Sequence, residues 1–281
     1  MLAVVFDGPY KVSVQERPIP KVEHEEDIVI KVSASGLCGS ELHAFRGHEK
    51  RPPGFIMGHE FTGTVTEVGS AVTTVKLGDK VVAPFTVSCS RCFYCRNGFT
   101  SRCVESKLFG SAALDGGQAE YVRIPFADGT VVKAPSTISD KALVLMADIW
   151  PTGVFGAKSA WELLPTKQKD NVVAVVIGCG PPTRDCEETR RGTLNFKTDP
   201  EGMKKRILEV TDGRGADLAI EVVGLSPALR TAFDLVRPWG VISSIGVHNA
   251  EIPFNGVEGY GAIFSAMFSL YCRAEVEDLD V

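Results

Sequence analysis

The chain has 281 residues, 44% hydrophobic and 23% charged, with a formal net charge of −5 and eight cysteines. These values describe a globular chain long enough for one large or two medium domains, and the negative balance argues against a nucleic-acid-binding surface. The longest near-apolar runs, Val172–Ile177 and Ala262–Leu270, fall short of the ~20 residues of a membrane span, and no signal-peptide core follows Met1, so a reducing cytosol is expected.

Residues 1–135 read as short strands punctuated by Gly and Pro, namely Leu2–Phe6, Ile28–Val32, Gly63–Val68, Lys80–Pro84 and Ala119–Ile124. Several alternate apolar and polar residues, the pattern of an all-β barrel or sandwich. From Ser139 the character changes. Ser139 is placed to cap a helix running towards Met146, and Thr152–Leu164 continues helical. Val172–Ile177 gives a buried strand followed by glycines. Thr198-Asp199-Pro200-Glu201 opens a helix whose apolar side carries Met203, Ile207 and Val210, while Lys204–Arg206 face solvent. Two more buried strands, Asp217–Val223 and Gly240–Val247, flank an amphipathic helix at Pro227–Val236. Alternating strand and helix indicates a parallel α/β layer. The division expected is a β domain over residues 1–155 and an incomplete α/β domain over 156–281.

Cys89, Cys92, Cys95 and Cys103 form the pattern C-x2-C-x2-C-x7-C. Two-residue gaps let successive sulfurs turn onto one ion, so four thiolates here suit a tetrahedral Zn²⁺. The set is closed, with no position left for water, which makes this zinc structural. Disulfides and a nucleic-acid-binding zinc module are the competing readings, disfavoured by the reducing compartment and the net charge.

Cys38, in Gly36-Leu37-Cys38-Gly39-Ser40-Glu41-Leu42-His43, and His59, in Gly58-His59-Glu60-Phe61-Thr62-Gly63, offer a thiolate and an imidazole, ligand types that suit Zn²⁺ with an open position. Either residue alone reads as a buried thiol or an unrelated histidine. Taken with the cysteine cluster and the complete G-H-E-x2-G-x5-G-x2-V signature from Gly58 to Val72, these segments resemble the zinc-dependent medium-chain alcohol dehydrogenases. The resemblance extends through Gly78-Asp79-Lys80-Val81, Gly116–Tyr121 and Asp148–Gly153, and resumes from about Leu194 to Pro253.

The resemblance implies a GroES-like β-barrel catalytic domain followed by a Rossmann-like parallel α/β domain, with two Zn²⁺ per chain and NAD or NADP. Cys38, His59 and Asp148 are implied to ligate the catalytic zinc, with Glu60 beside it. The four clustered cysteines match the structural-zinc lobe, and Ser40 and His43 match a proton relay. Cofactor contacts are implied at Thr152, Gly178, Gly180, Val223 and Val247. The implied partner is a small alcohol or its aldehyde. Asp148 read without the resemblance is also placed to cap the helix near Pro151.

The pattern breaks twice. Gly178-Cys179-Gly180-Pro181 begins a dinucleotide-binding turn, but Thr183 stands where the third glycine belongs, and Pro182–Thr193 is polar. The sixteen residues Gly178–Thr193 occupy a stretch that ordinarily holds two helices and a strand, roughly 35–40 residues. Asp199 has the spacing of a ribose-binding carboxylate, yet its context is a helix start, so the acidic clamp is expected to be missing. After Pro253 the chain departs from the family and ends in an acidic tail, without the strands that help form the family's dimer. Insert and tail together point to an altered reading of a full-length gene. The expected function is therefore a zinc-dependent alcohol dehydrogenase, with a zinc-binding remnant lacking a competent cofactor site as the competing expectation.

Overall fold

The computed structural model describes residues 1–135, 137–165, 171–178, 194–195, 198–248, 250–255 and 257–258. The chain divides into one unit over Met1–Thr152 and a second from Gly153 on.

In the first unit β1 (Leu2–Gly8) turns through Tyr10, which takes a left-handed φ of 59°, into β2 (Lys11–Glu16), its antiparallel partner. The expected strands follow as β3 (Ile28–Ser35), β4 (Phe61–Val68), β5 (Lys80–Ala83) and β6 (Tyr121–Ile124). With the short β7 (Val132–Lys133) they form an antiparallel sheet ordered β6-β3-β4-β5-β7. Alternate positions point inward, so Ile28, Ile30, Phe61, Val81, Val122 and Ile124 close one core. Phe61 meets Phe109 edge-on at 5.0 Å. Gly63 is required here, because a β-carbon would run into the Lys31 carbonyl of the paired strand.

Four short helices decorate this unit. These are α1 (Gly39–Phe45), α2 (Phe93–Arg96), α3 (Ala127–Thr130) and α4 (Asp140–Leu143). As expected, the Ser139 hydroxyl accepts the Ala142 amide at 3.4 Å and caps α4, which tightens into a 3-10 turn at Val144–Ala147. A longer helix, α5 (Ile149–Leu163), starts three residues before the expected Thr152.

In the second unit β8 (Ala174–Ile177), β9 (Ala216–Glu221) and β10 (Val236–Ser244) are parallel and ordered β10-β9-β8. A doubly wound sheet runs 3-2-1-4-5-6, and these strands take the places of its first, fourth and fifth. Helix α6 (Pro200–Val210) precedes β9, and α7 (Ser226–Leu235) joins β9 to β10. Successive residues of β9 serve opposite faces: Leu218 packs with Ala160, Leu164 and Val241, and Ala219 with Leu229, Ala232 and Ile242. β8 is not buried as its apolar run predicts. Val175 and Ile177 turn inward, but Ala174 and Val176, on the face of Leu218, stay exposed at this edge of the described sheet.

Candidate functional site

The turn from β3 into α1 fixes the first group of chemical residues. Cys38 is the N-cap of α1, and its amide donates to Oε2 of Glu41 at 2.9 Å, closing a capping box. Ser40 lies in the first turn, with Oγ 3.5 Å from Nε2 of His59. His59 sits just before β4. Its Nε2 is 3.3 Å from Oδ2 of Asp148, and that same oxygen is 3.9 Å from the Cys38 sulfur. Ligand atoms of Cys38, His59 and Glu60 lie within 4.8 Å of one another. His59, Glu60 and Asp148 are buried.

Asp148 is therefore more than a helix cap. Its Oδ1 accepts the Thr152 hydroxyl at 2.6 Å, which leaves Oδ2 aimed at Cys38 and His59. On the far side of the imidazole, Oε1 of Glu41 lies 3.4 Å from Nδ1 of His59 and has no other hydrogen-bond partner among the described residues. An acceptor there keeps the proton on Nδ1 and turns Nε2 towards the cluster. Burial alone lowers the imidazole pKa, but hydrogen bonds to Asp148, Cys38 and Glu41 outweigh it and push His59 up to about 11. The Cys38 thiol is raised by burial, yet His59 and Ser40 bring it below its ordinary value. A sulfur, an imidazole nitrogen and carboxylate oxygens thus meet at one buried, negatively biased point, a donor set that fits Zn²⁺.

Glu41 was not singled out by the sequence reading, although Cys38-x2-Glu41 is a helix-start signature that could have found it. Gln118, whose Nε2 donates to Gly36 O at 3.2 Å and to Glu41 Oε2 at 3.4 Å, carries no such signal. His43 lies one turn beyond Ser40 on α1, its ring 5.8 Å from that of His48. Burial, then the neighbouring His48 and Arg46, hold His43 below its ordinary pKa against Glu49.

The second cluster hangs between β5 and β6. Ligand atoms of Cys89, Cys92, Cys95 and Cys103 lie within 4.8 Å of one another, and all four are free thiols. Cys92 caps α2, and Cys103 ends a 3-10 turn at Thr100–Arg102. Backbone amides point at the sulfurs: Cys89 N to Cys103 at 3.2 Å, Cys95 N to Cys92 at 3.4 Å and Glu105 N to Cys103 at 3.4 Å. The amides of Cys95 and Val104 bring Cys92 down to about 6. Burial and the neighbouring Cys92 and Cys103 raise Cys95 to about 12. The Cys92 thiolate forms readily while Cys95 and Cys103 resist, as expected of crowded sulfurs that need a cation between them. The set fits a closed, four-sulfur Zn²⁺ site.

In the second unit the expected cofactor residues Gly178, Val223 and Val247 meet at the carboxyl ends of the strands. Val223 and Val247 lie beyond β9 and β10, which end sooner than expected, at Glu221 and Ser244. A β-carbon on Gly178 would collide with Val223, one on Gly224 with the Val247 carbonyl, and one on Gly246 with the Gly224 amide. The turns thus touch backbone to backbone at the carboxyl ends of the strands, the place where open α/β sheets bind a dinucleotide. Asp199 accepts the Gly202 amide at 2.8 Å and caps α6, in keeping with its helix-start context. Thr152 belongs to the first unit, on Asp148. Gly180, Cys179, Cys186, Cys272, the polar run Pro182–Thr193 and the acidic tail lie outside the described residues.

Comparison with known proteins gives this geometry its context. The alcohol dehydrogenase GroES-like domain matches residues 24–136, and the zinc-binding dehydrogenase domain matches residues 192–266. The chain is 54% identical over 285 residues to zinc-type alcohol dehydrogenase B of Aspergillus flavus, spanning 92% of this chain and 67% of that one. It is 53% identical over 286 residues to the medium chain reductase/dehydrogenase ucsI of Acremonium sp, spanning 92% of this chain and 98% of the relative. Alcohol dehydrogenase TADH from Thermus sp. ATN1 superposes with a TM-score of 0.85 at 29% identity, over 99% of this chain and 86% of that one. With a GroES-like unit, strands of a Rossmann sheet and close relatives of that kind, the chain belongs to the zinc-dependent medium-chain alcohol dehydrogenase family.

Proposed function

We propose that this chain interconverts a small alcohol and its aldehyde or ketone with NAD or NADP, and that it holds two zinc ions. The observation that carries the reading is the meeting of Cys38, His59 and Asp148 at one buried point, with the Ser40 hydroxyl beside it.

In this reading Cys38, His59 and Asp148 hold the first ion, and Glu60 stands by as a neighbouring carboxylate. Zinc bound there supplies a Lewis acid that lowers the pKa of an alcohol hydroxyl towards neutrality. Ser40 accepts the hydroxyl proton and passes it outward along α1 towards His43, one turn on. Glu41 and Thr152 hold His59 and Asp148 in orientation. A bound nicotinamide supplies the hydride acceptor. Gly178, Val223 and Val247 lie at the strand ends that the cofactor meets. Cys89, Cys92, Cys95 and Cys103 hold the second ion in a closed set and stiffen the lobe. The uncrosslinked thiols support a reducing compartment such as the cytosol.

The experiment is titration of zinc-loaded protein with NADH and NADPH, following cofactor fluorescence, and then an alcohol assay. Saturable binding with turnover is the expected result. A folded protein that holds zinc but binds neither cofactor would instead favour the zinc-binding remnant.

A further inference from the structure

Glu221 is a wholly buried carboxyl that the proposed chemistry does not use. It closes β9 in register with Ile177 of β8 and Ser244 of β10, so all three strands end on one line. Its Oε1 accepts the amides of Val223 at 2.6 Å and Gly224 at 2.8 Å, and its Oε2 accepts the Ser244 hydroxyl at 2.7 Å. Its main-chain carbonyl accepts the amides of Ile245 at 2.9 Å and Gly246 at 3.2 Å. One residue thus ties the turn after β9 to the turn after β10. It also ends the β9 ladder, since the amides of Val223 and Gly224 bond to its side chain rather than to a neighbouring strand. The three glycines at which these turns and the end of β8 touch are Gly178, Gly224 and Gly246.

We propose that Glu221 is a positioning residue for the nicotinamide cofactor: its carboxyl fixes the Val222–Gly224 turn against the turns at Gly178 and Gly246, and so the shape of the strand ends that the cofactor meets. This rests on the reading that the second unit holds NAD or NADP. An unmet buried amide is costly, so without the carboxyl Val223 and Gly224 turn away to find other partners and the strand ends lose that shape. Gln at this position still accepts both amides through its oxygen, and the Ser244 hydroxyl can reverse to accept from its amide group. Ala offers neither.

The test uses the full, zinc-loaded chain and titrates NADH and NADPH by fluorescence. Glu221→Ala is expected to bind cofactor about tenfold more weakly or worse, and Glu221→Gln within about twofold of the native chain. In Glu221→Ala the cofactor KM rises while the alcohol KM and the zinc content stay put, a split that general loosening of the fold does not give. Amide exchange at Val223 and Gly224 in the cofactor-free variant is expected to accelerate. If Glu221→Ala does not fold, Ser244→Ala removes a single hydrogen bond and is expected to weaken binding about threefold. A folded Glu221→Ala, or failing that a Ser244→Ala, that binds cofactor as the native chain does overturns the assignment while the proposed function stands. A native chain that binds neither cofactor overturns both, and the native titration tells the two failures apart.

Discussion

Asp148 shows how one side chain can be divided between two tasks. Thr152 occupies Oδ1, and Oδ2 is left to the cluster. Thr152→Val deletes that hydroxyl while keeping the shape of the side chain, and is expected to weaken zinc retention by about 10- to 100-fold in competition with a chelator. Glu41→Gln, acting through Nδ1 of His59, should do likewise, and retention equal to the native chain's in both variants would refute the arrangement. A second carboxylate, Asp128, acts away from the site. It accepts the amides of Thr73 (2.9 Å) and Thr74 (3.0 Å) and both their hydroxyls. Burial is the largest single influence and raises its pKa, but these bonds together outweigh it and hold the carboxyl below its usual range. Its contribution to stability is therefore full above the unfolded pKa of about 4 and is lost as the pH falls through the lower folded value. The Tm deficit of Asp128→Ala should be largest near neutrality and shrink towards pH 3, whereas a deficit constant across that range would show that the titration plays no part.

At the scale of elements, glycine placement governs the sheets. Gly63→Ala drives a methyl group into the Lys31 carbonyl between β3 and β4 and is expected to cost about 1–3 kcal/mol in denaturant unfolding. An unchanged midpoint would show that the strands can part at no cost. The inward strands and α4 were legible in the sequence because apolar alternation and the Ser139 cap are local signals. Two elements were not. β2 leaves Val12 and Val14 exposed, so its alternation does not mark a core, and α1 has only seven residues, fixed by the Cys38–Glu41 capping box rather than by an apolar stripe. The ends of β9 and β10 were misjudged for a related reason. Val223 and Val247 continue apolar runs, and only the position of the Glu221 side chain reveals that the ladder has already stopped. The clustering of Cys89, Cys92, Cys95 and Cys103 was legible from spacing alone, whereas the pairing of Asp148 with Cys38 joins residues 110 positions apart and became visible only through the family resemblance.

For the molecule as a whole, two metal-fitting clusters fall within the Met1–Thr152 unit, and no described helix is long and apolar enough to cross a membrane. Zinc should therefore stabilise the first unit directly. Chelation is expected to release about two ions per chain and lower the Tm of that unit, and Cys95→Ser to reduce the count by about one while the other site stays loaded. A single ion in the native chain, or a Tm indifferent to chelation, would remove one site or its structural role.

In the proposed reading the order of the ligands along the chain also sets a timetable for assembly. The cysteines of the lobe are complete once Cys103 has left the ribosome, while Cys38, His59 and Glu60 must wait for Asp148. At about 5–20 residues per second that interval lasts a few seconds, during which a soft thiolate and an imidazole stand on the nascent chain without their third partner. Under that reading the ions around the ribosome meet Cys38 and His59 before the finished geometry can select among them.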